Sequence, residues 1–362
     1  MESNDFISNQ EREVISSEEM GVFKIFKENN KDKKIIGTHS GTFHSDEVLS
    51  TFLLKYFPET KKSVVIRTRN NEILKQCDIV VDVGSIIDQK TFRFDHHMKE
   101  FTEVFDEKDE DLNTIKLSSA GLVWKYLGKE IIINILKSMN LLEQNKEHID
   151  EIYKKIYIDF IMGVDGMDNG VTQYNKDIKP KYKLSGNFVD RISRLNPEWN
   201  AENVDVNARF KKGWDVAEEE FLFQIKKYAN SYFIAYDIVE NSIKEALKEN
   251  RIYIILDRFC PWKKCLYEIE KKLGIENKLL YCVHPGNNNR WCSTAINLND
   301  HCMELRKPFP KEWRAKRDDE LKKITGIKDA EFVHVSGFIS FFLLKESAIK
   351  ATEISINYKE ES

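Results

Sequence analysis

Histidine and aspartate are gathered in one part of this chain in a pattern suited to holding metal ions. Four of the eight histidines fall between residues 39 and 97, in two clusters that each include a carboxylate. His39 and His44 flank the loop of Thr38-His39-Ser40-Gly41-Thr42-Phe43-His44-Ser45-Asp46-Glu47, where Gly41 permits a tight turn and Asp46 opens a helix. Asp82 ends the apolar run IVVDVG, and Asp95-His96-His97 ends FRFDHH. Asp165 and Asp168, in GVDGMDNG, are candidates to complete the set. Imidazole and carboxylate without cysteine suit Mn²⁺ or a similar borderline ion, with Mg²⁺ as the alternative, better than structural zinc. More than four such ligands point to two divalent ions sharing a bridging carboxylate. Such a pair binds a phosphoryl oxygen, lowers the pKa of a bridging water and stabilises the leaving oxygen, which are the needs of phosphoester hydrolysis. A single histidine after a strand is ordinarily a hydrogen-bonded packing group, but four of them with several aspartates at strand ends reverse that expectation. Glu47 is read as a first-turn helix acid and Asp78 as a strand-start residue, and both stay outside the expected ligand shell.

The elements that must deliver these groups alternate. Apolar runs at Lys33 to Thr38, Ser63 to Thr68, Asp78 to Val83 and Thr91 to Asp95 read as strands, with helices at Glu47 to Tyr56 and Asn70 to Gln76. Alternation of this kind predicts a parallel α/β sheet, in which ligands bind at the carboxyl ends of strands. Three strand ends would then face one crevice. Helices are expected over Ser118 to Leu127, Glu130 to Leu142 and Ile149 to Val164, and a long helical stretch over Val206 to Lys248. Strands at Arg251 to Leu256, Leu279 to Val283, Trp291 to Ile296 and Glu331 to Val335, with a charged helix at Lys311 to Ile324, predict a second, smaller α+β domain. The expected divisions are a charged flexible leader (1–32), a metal-binding catalytic domain (33–186), a helical connector (187–250) and a C-terminal substrate domain (251–362).

Composition narrows the function classes. With 56 Lys plus Arg against 60 Asp plus Glu, the net charge of -4 disfavours a protein that coats DNA without regard to sequence. Apolar residues at 41% suffice for a core, yet none of the runs reaches the roughly 18 residues of a membrane span. The acidic leader lacks an apolar h-region, so an intracellular location is expected, with no choice among cytoplasm, nucleus and mitochondrion. Six scattered cysteines without a CxxC pair read as free thiols. Composition leaves the oligomeric state open, a homodimer included.

The ordered segments THxGTFHxDE, VVDVG, DHH, LSSAGLVW, VDxMDNG, RxxRLNPxW, CPWK and FVHxSGF resemble the melanocyte proliferating gene one (MYG) family, related to the DHH phosphoesterase superfamily, from about Lys33 to the C-terminus. The resemblance implies a DHH-type parallel α/β domain with a smaller substrate domain, and metal-dependent 3′-to-5′ exonuclease action on RNA. By the same resemblance His39, His44 and Asp46 match the first metal motif, where His44 replaces a carboxylate. Asp82 takes the bridging position and His96 that of the ligating histidine. His97 would contact the scissile phosphate, with Asp95 orienting an imidazole. The fourth motif offers Asp165 and Asp168, with Asp165 preferred. His334, Ser336 and Gly337 match the late substrate-holding motif, although Ser340 and Phe341 replace its glycine pair. Arg67, Arg69, Arg314 and Arg317 are candidate phosphate binders, and Trp262 and Trp313 candidate base-stacking residues. The competing expectations are hydrolysis of a small phosphate, such as pyrophosphate or a dinucleotide, and a metal-binding regulator without catalysis.

Overall fold

The computed structural model describes residues 8–175, 177–179, 181–182, 184–300 and 302–359, which form a mixed α/β protein of two compact units, 1–229 and 230–362. In the first unit the elements run β1 (Val14–Ser16), α1 (Met20–Asn29), β2 (Lys34–Thr38), α2 (Ser45–Leu53), β3 (Ser63–Arg67), α3 (Asn71–Leu74), β4 (Ile79–Val81), β5 (Ile87–Asp88) and β6 (Arg93–Phe94). Helices α4 (Ser119–Ser138), α5 (Leu142–Asn145), α6 (Ile149–Ile156), α7 (Met162–Asp168), α8 (Phe188–Ser193) and α9 (Val206–Lys227) follow.

The sheet order is β1-β3-β2-β4-β6-β5, parallel throughout except for the β5–β6 pair. Strands β2, β3 and β4 are buried β-branched runs because helices cover both faces of a parallel sheet. Phe23 and Phe26 of α1 pack on Ile35, Val64 and Ile66. All nine residues of α2 are buried, its sides meeting α4 and α9. The stretch expected to be a flexible leader therefore supplies an edge strand and a packed helix. Its apolar positions Val14, Phe23 and Phe26 are few, but the sheet edge and face they cover are apolar too.

Two helices expected between residues 118 and 142 are one, α4, running through Gly128. A Cβ at Gly128 would lie 2.9 Å from Trp124 and from Tyr153, so this glycine meets a packing need and does not break the helix. A π-helical turn, Tyr157–Ile161, links α6 to α7. A second π turn, Tyr228–Tyr232, spans the boundary between the units, short of the connector end expected near residue 250.

The second unit contains α10 (Phe233–Lys248), β7 (Tyr253–Ile255), α11 (Trp262–Leu273), β8 (Tyr281–Pro285), β9 (Trp291–Ala295), α12 (Asp318–Thr325), β10 (Ala330–Val333), β11 (Ile339–Phe342) and α13 (Lys345–Asn357). Its sheet, β10-β11-β9-β8-β7, is antiparallel apart from β7–β8. Trp313 joins Tyr281, Phe309 and Phe342 in the core, and Trp262 is buried as well, which leaves neither indole face for a base. The helix expected over Lys311 to Ile324 is interrupted: Ala315 and Asp318 have φ of 62° and 46°, and only α12 is α-helical. Among the described residues, no helix is long and apolar enough to cross a membrane.

Candidate metal centre

The loop from Thr38 to His44 is fixed from both sides. Gly41 adopts φ +93°, and its carbonyl accepts a 2.7 Å hydrogen bond from Arg67 Nη2. Arg67 is fully buried, its guanidinium lying over the Phe43 and Phe210 rings at 5.5 and 4.8 Å. Arg67 thus holds the loop from inside and does not face a phosphate, because β3 is covered on both faces. Asn196 clamps the other end, accepting from Phe43 N at 3.0 Å and donating to the Phe43 carbonyl at 2.6 Å. Glu18, from the N-terminal stretch, accepts from Ser40 Oγ, Thr68 Oγ1 and Arg69 N at 2.8 to 3.0 Å. Arg69 itself stays at the cavity, with Nη2 3.3 Å from His39 Nδ1.

The carboxylates arrive from four elements. Asp82 follows β4 with φ +59°, a strained conformation that aspartate tolerates better than most residues. Its Oδ2 is 3.3 Å from His39 Nε2, and its Oδ1 is 3.5 Å from His96 Nε2. Asp46, in the first turn of α2, is fully buried and accepts from Ser119 N at 3.0 Å and Ala120 N at 2.5 Å, the amino end of α4. Its Oδ2 lies 3.7 Å from His96 Nε2, and Asp168 Oδ2 lies 3.1 Å from the same nitrogen. Asp95 accepts from Ser85 N, His96 N and His97 N, and its Oδ1 lies 2.8 Å from His97 Nδ1. His97 remains 59% exposed on a cavity of about 810 Å³, which His39, His44, Asp82, His96 and Asp168 also line.

Such an arrangement of buried charge needs compensation. Burial would keep His39 neutral, but Asp82 and Glu47 raise its pKa to about 10. Burial likewise opposes protonation of His96, and Asp168 and Asp82 override it, to about 11. Against its own burial, Asp82 is held down at about 2 by His39 and His96. Asp46 is pushed up by burial and by the Asp82 and Asp168 charges. Among the described residues, Asp82 Oδ1 and His96 Nε2 are nevertheless buried without a well-aligned hydrogen bond, although carboxylate oxygens lie 3.1 to 3.7 Å from that nitrogen. Facing atoms of this kind are good ligand positions for a cation, which would displace the imidazole protons.

Three groups of ligand atoms each lie within a 4.8 Å span: His39, His44 and Glu47; Asp82, His96 and His97; Asp46, His96 and Asp168. Glu47, set aside on sequence, does two jobs. It accepts from His44 N at 3.0 Å as the helix-start acid, and its Oε1 lies 3.0 Å from His39 Nε2. Of the two late aspartates, the structure brings Asp168 to this cluster, whereas the preference on sequence is for Asp165. Asp165 is fully buried one turn earlier, accepting from Ser118 N at 2.9 Å and Ser118 Oγ at 2.7 Å, and belongs to none of the three groups. Burial raises its pKa to about 7. The LSSAG segment that starts α4 therefore holds both acids: Ser118 binds Asp165, Ser119 and Ala120 bind Asp46, and Gly121 leaves room for the Asp165 carboxylate.

The remaining candidates lie in the second unit. His334 is half-buried beyond β10, its Nδ1 2.9 Å from Ser336 Oγ, and Gly337 takes φ +72° in the same turn. Gly337 packs so closely that a Cβ would lie 2.9 Å from Arg314 Nε, which donates to the Phe309 carbonyl at 2.8 Å. The Arg317 guanidinium stacks over Phe332 at 5.2 Å. Neither arginine sits on the expected helix: Arg314 follows a 3₁₀ turn, and Arg317 is the residue before α12.

The MYG1_exonuc family model, described as Uncharacterised protein family (UPF0160), matches residues 35–356. Over 319 residues the chain is 38% identical to "MYG1 protein" of Dictyostelium discoideum, covering 87% of this chain and 94% of that protein. It is 34% identical over 325 residues to "MYG1 exonuclease" of Homo sapiens, covering 89% of this chain and 85% of that one. The mouse "MYG1 exonuclease" is also 34% identical, over 326 residues, with 89% of this chain and 84% of that one covered. A likeness to the crystal structure of CDC45 from Entamoeba histolytica, at 10% identity and a TM-score of 0.22 over 94% of this chain and 98% of that one, is too slight to bear on fold or function.

Proposed function

Because this chain belongs to the MYG1 family, we propose that it is a metal-dependent nuclease that removes nucleotides from the 3′ end of RNA, with a DHH-type arrangement of its ligands. The observation that carries the reading is the convergence of carboxylate oxygens of Asp46, Asp82 and Asp168 within 3.1 to 3.7 Å of the buried His96 Nε2. The exonuclease names of the human and mouse relatives add support. Two divalent ions, Mn²⁺ before Mg²⁺ on this mixed nitrogen and oxygen donor set, would supply Lewis acidity toward a phosphoryl oxygen and lower the pKa of water.

The protein's own contribution divides by residue. Asp82, between His39 and His96, would serve as a ligand. Asp46, His96 and Asp168 would hold an ion together, as would His39 with His44 and Glu47. His97, fixed through Nδ1 by Asp95, presents its other ring nitrogen to a phosphate oxygen from the open cavity. Its pKa is raised by that Asp95 contact, so it carries a proton suited to an anionic oxygen. Arg69 adds positive charge at the cavity rim. Arg67 and Asp165 act as positioning residues. In the second unit, His334, Ser336 and Gly337, with Arg314 and Arg317, are assigned to holding non-reacting parts of the substrate.

End-labelled RNA tests the proposal. With Mn²⁺ present, 3′-labelled RNA should release labelled mononucleotide at once, while 5′-labelled RNA gives a descending ladder. Internal cuts that precede shortened ends would refute the direction. Cleavage confined to pyrophosphate or a dinucleotide would move the activity to small phosphates.

A further inference from the structure

We propose that an apolar cavity sharing a wall with the metal centre is a nucleobase subsite, which receives the terminal base of the RNA while its phosphate lies among the histidines and aspartates. The proposal deepens the nuclease reading and rests on it for the identity of the occupant. The cavity, about 480 Å³, is formed by the π turn Tyr157–Ile161, α7, the start of α8 and Gln224 of α9. Met167 and Val189 line both it and the metal-site cavity, and Met167 directly precedes the candidate ligand Asp168. The volume lies within the ~300 to 1,000 Å³ usual for small-ligand sites.

Three features favour a flat group with an apolar face and a hydrogen-bonding edge. First, the walls are apolar and partly open to water: Ile158, Met167 and Val171 are 44%, 47% and 45% exposed beside Phe160 and Phe188. Such surface gains from being covered. Second, the carboxylates at the rim already have counter-charges, Asp159 with Lys227 at 2.6 Å and Glu220 with Arg191, so they do not repel a nucleotide strongly. Third, Gln224 Oε1 is buried without a hydrogen-bond partner among the described residues. A turn of the Gln224 side chain, which lines the cavity, would bring that unpaired amide oxygen to the edge N–H of a base, whereas a saturated aliphatic group would leave it unsatisfied. A π turn in the wall is consistent with a binding role, since such turns gather at functional sites.

Gly163 makes the cavity testable without damage to the metal centre. It lies on α7, lines the cavity, has a φ outside the left-handed region, and a Cβ placed there would meet nothing within 4 Å. Gly163→Leu therefore fills space that is empty of protein atoms, and it exchanges glycine for a better helix former.

The experiment compares AMP with ribose 5-phosphate, which differ only in the base, on the full-length Mn²⁺-loaded protein by equilibrium dialysis. In parallel, RNA ending in a normal nucleotide is compared with RNA ending in an abasic one. The wild type should bind AMP at least about tenfold more tightly than ribose 5-phosphate. Gly163→Leu should bring the two within about twofold, lower kcat/KM for normal RNA about tenfold, and leave abasic-ended RNA and the melting temperature unchanged. If that variant melts early, Gln224→Met provides a second reading, with AMP affinity falling about fivefold and ribose 5-phosphate unmoved. Equal binding of the two ligands by the wild type, or base discrimination retained in Gly163→Leu and Gln224→Met, would overturn the subsite. Base discrimination that Gly163→Leu abolishes, in a protein that cuts no RNA, would sustain the subsite and remove the nuclease reading. RNA cleavage without base discrimination would do the reverse.

Discussion

His96 and His334 each follow a strand and each sit beside a small cluster of polar residues, yet they are built in opposite ways. The His96 ring is 7% exposed, and carboxylates from α2, the end of β4 and α7 lie 3.1 to 3.7 Å from its Nε2. His334 is half-buried, its ring edge-on to Phe338 at 4.7 Å, and its hydrogen-bond partner is Ser336, two residues along the same turn. Burying one imidazole among three carboxylates is expensive unless protons or cations neutralise the group, and no local hairpin could assemble it. A bond within a surface turn costs little and engages only the Nδ1 side of the ring. The first arrangement suits chemistry carried out within the site, the second a surface that meets a ligand from outside.

Substitution can break that contrast at either end. The largest effect is expected at the buried cluster: Asp82→Asn removes an anion from between two cationic groups and should reduce RNA turnover more than a hundredfold. Retention of above about a tenth of wild-type turnover, a loss under ~1.4 kcal/mol, would take Asp82 out of the site. A smaller loss is expected one shell out. Asn196→Ala releases Phe43, and with it the loop carrying His39 and His44. The apparent metal affinity should fall roughly ten- to a hundredfold while secondary structure, followed by circular dichroism, stays intact. An unchanged metal affinity would reduce Asn196 to a packing residue.

At the other end, His334→Ala should lower kcat/KM for RNA by roughly ten- to a hundredfold, the worth of a hydrogen bond to a charged group, with metal content unaltered. Unchanged kinetics per folded molecule would leave His334 without a substrate role. The smallest effect sharpens the difference between the two late aspartates. Burial raises the Asp165 pKa to about 7, so the folded state holds that proton more tightly than the unfolded chain does. The stability this gives is complete below the ordinary carboxylate range and is lost as pH rises through about 7. Asp165→Asn should therefore show a flatter melting temperature between about pH 4 and pH 8 than the wild type, and should still bind metal. Loss of metal binding in this variant would make Asp165 a ligand after all.

Much of this was legible in the sequence, and the exceptions have specific causes. Four strands stand out because β-branched runs in a covered parallel sheet have no polar face to confuse the reading, and strand order then carries Asp82 and Asp95-His96-His97 to one edge. Asp165 and Asp168 could not be told apart, since residues three apart share a helix face and differ only in depth. Glu47 was hidden by its second role, because a first-turn acid needs no metal to explain it. Arg67 reads as a surface cation in any sequence, and the Gly41 carbonyl with the Phe43 and Phe210 rings makes its burial tolerable. Glu18 and Asn196 act through main-chain and hydroxyl groups of distant loops, and those contacts leave no spacing to detect.

Calorimetric titration of the metal-stripped protein with Mn²⁺ tests the central claim most directly. Two ions per chain should bind with release of protons, because His39 and His96 hold theirs to about pH 10 and 11 in the metal-free cluster, and binding should strengthen as pH rises. Asp82→Asn should retain at most one ion. Absence of saturable binding, or an isotherm in Asp82→Asn that matches the wild type, would contradict a metal centre at this cluster.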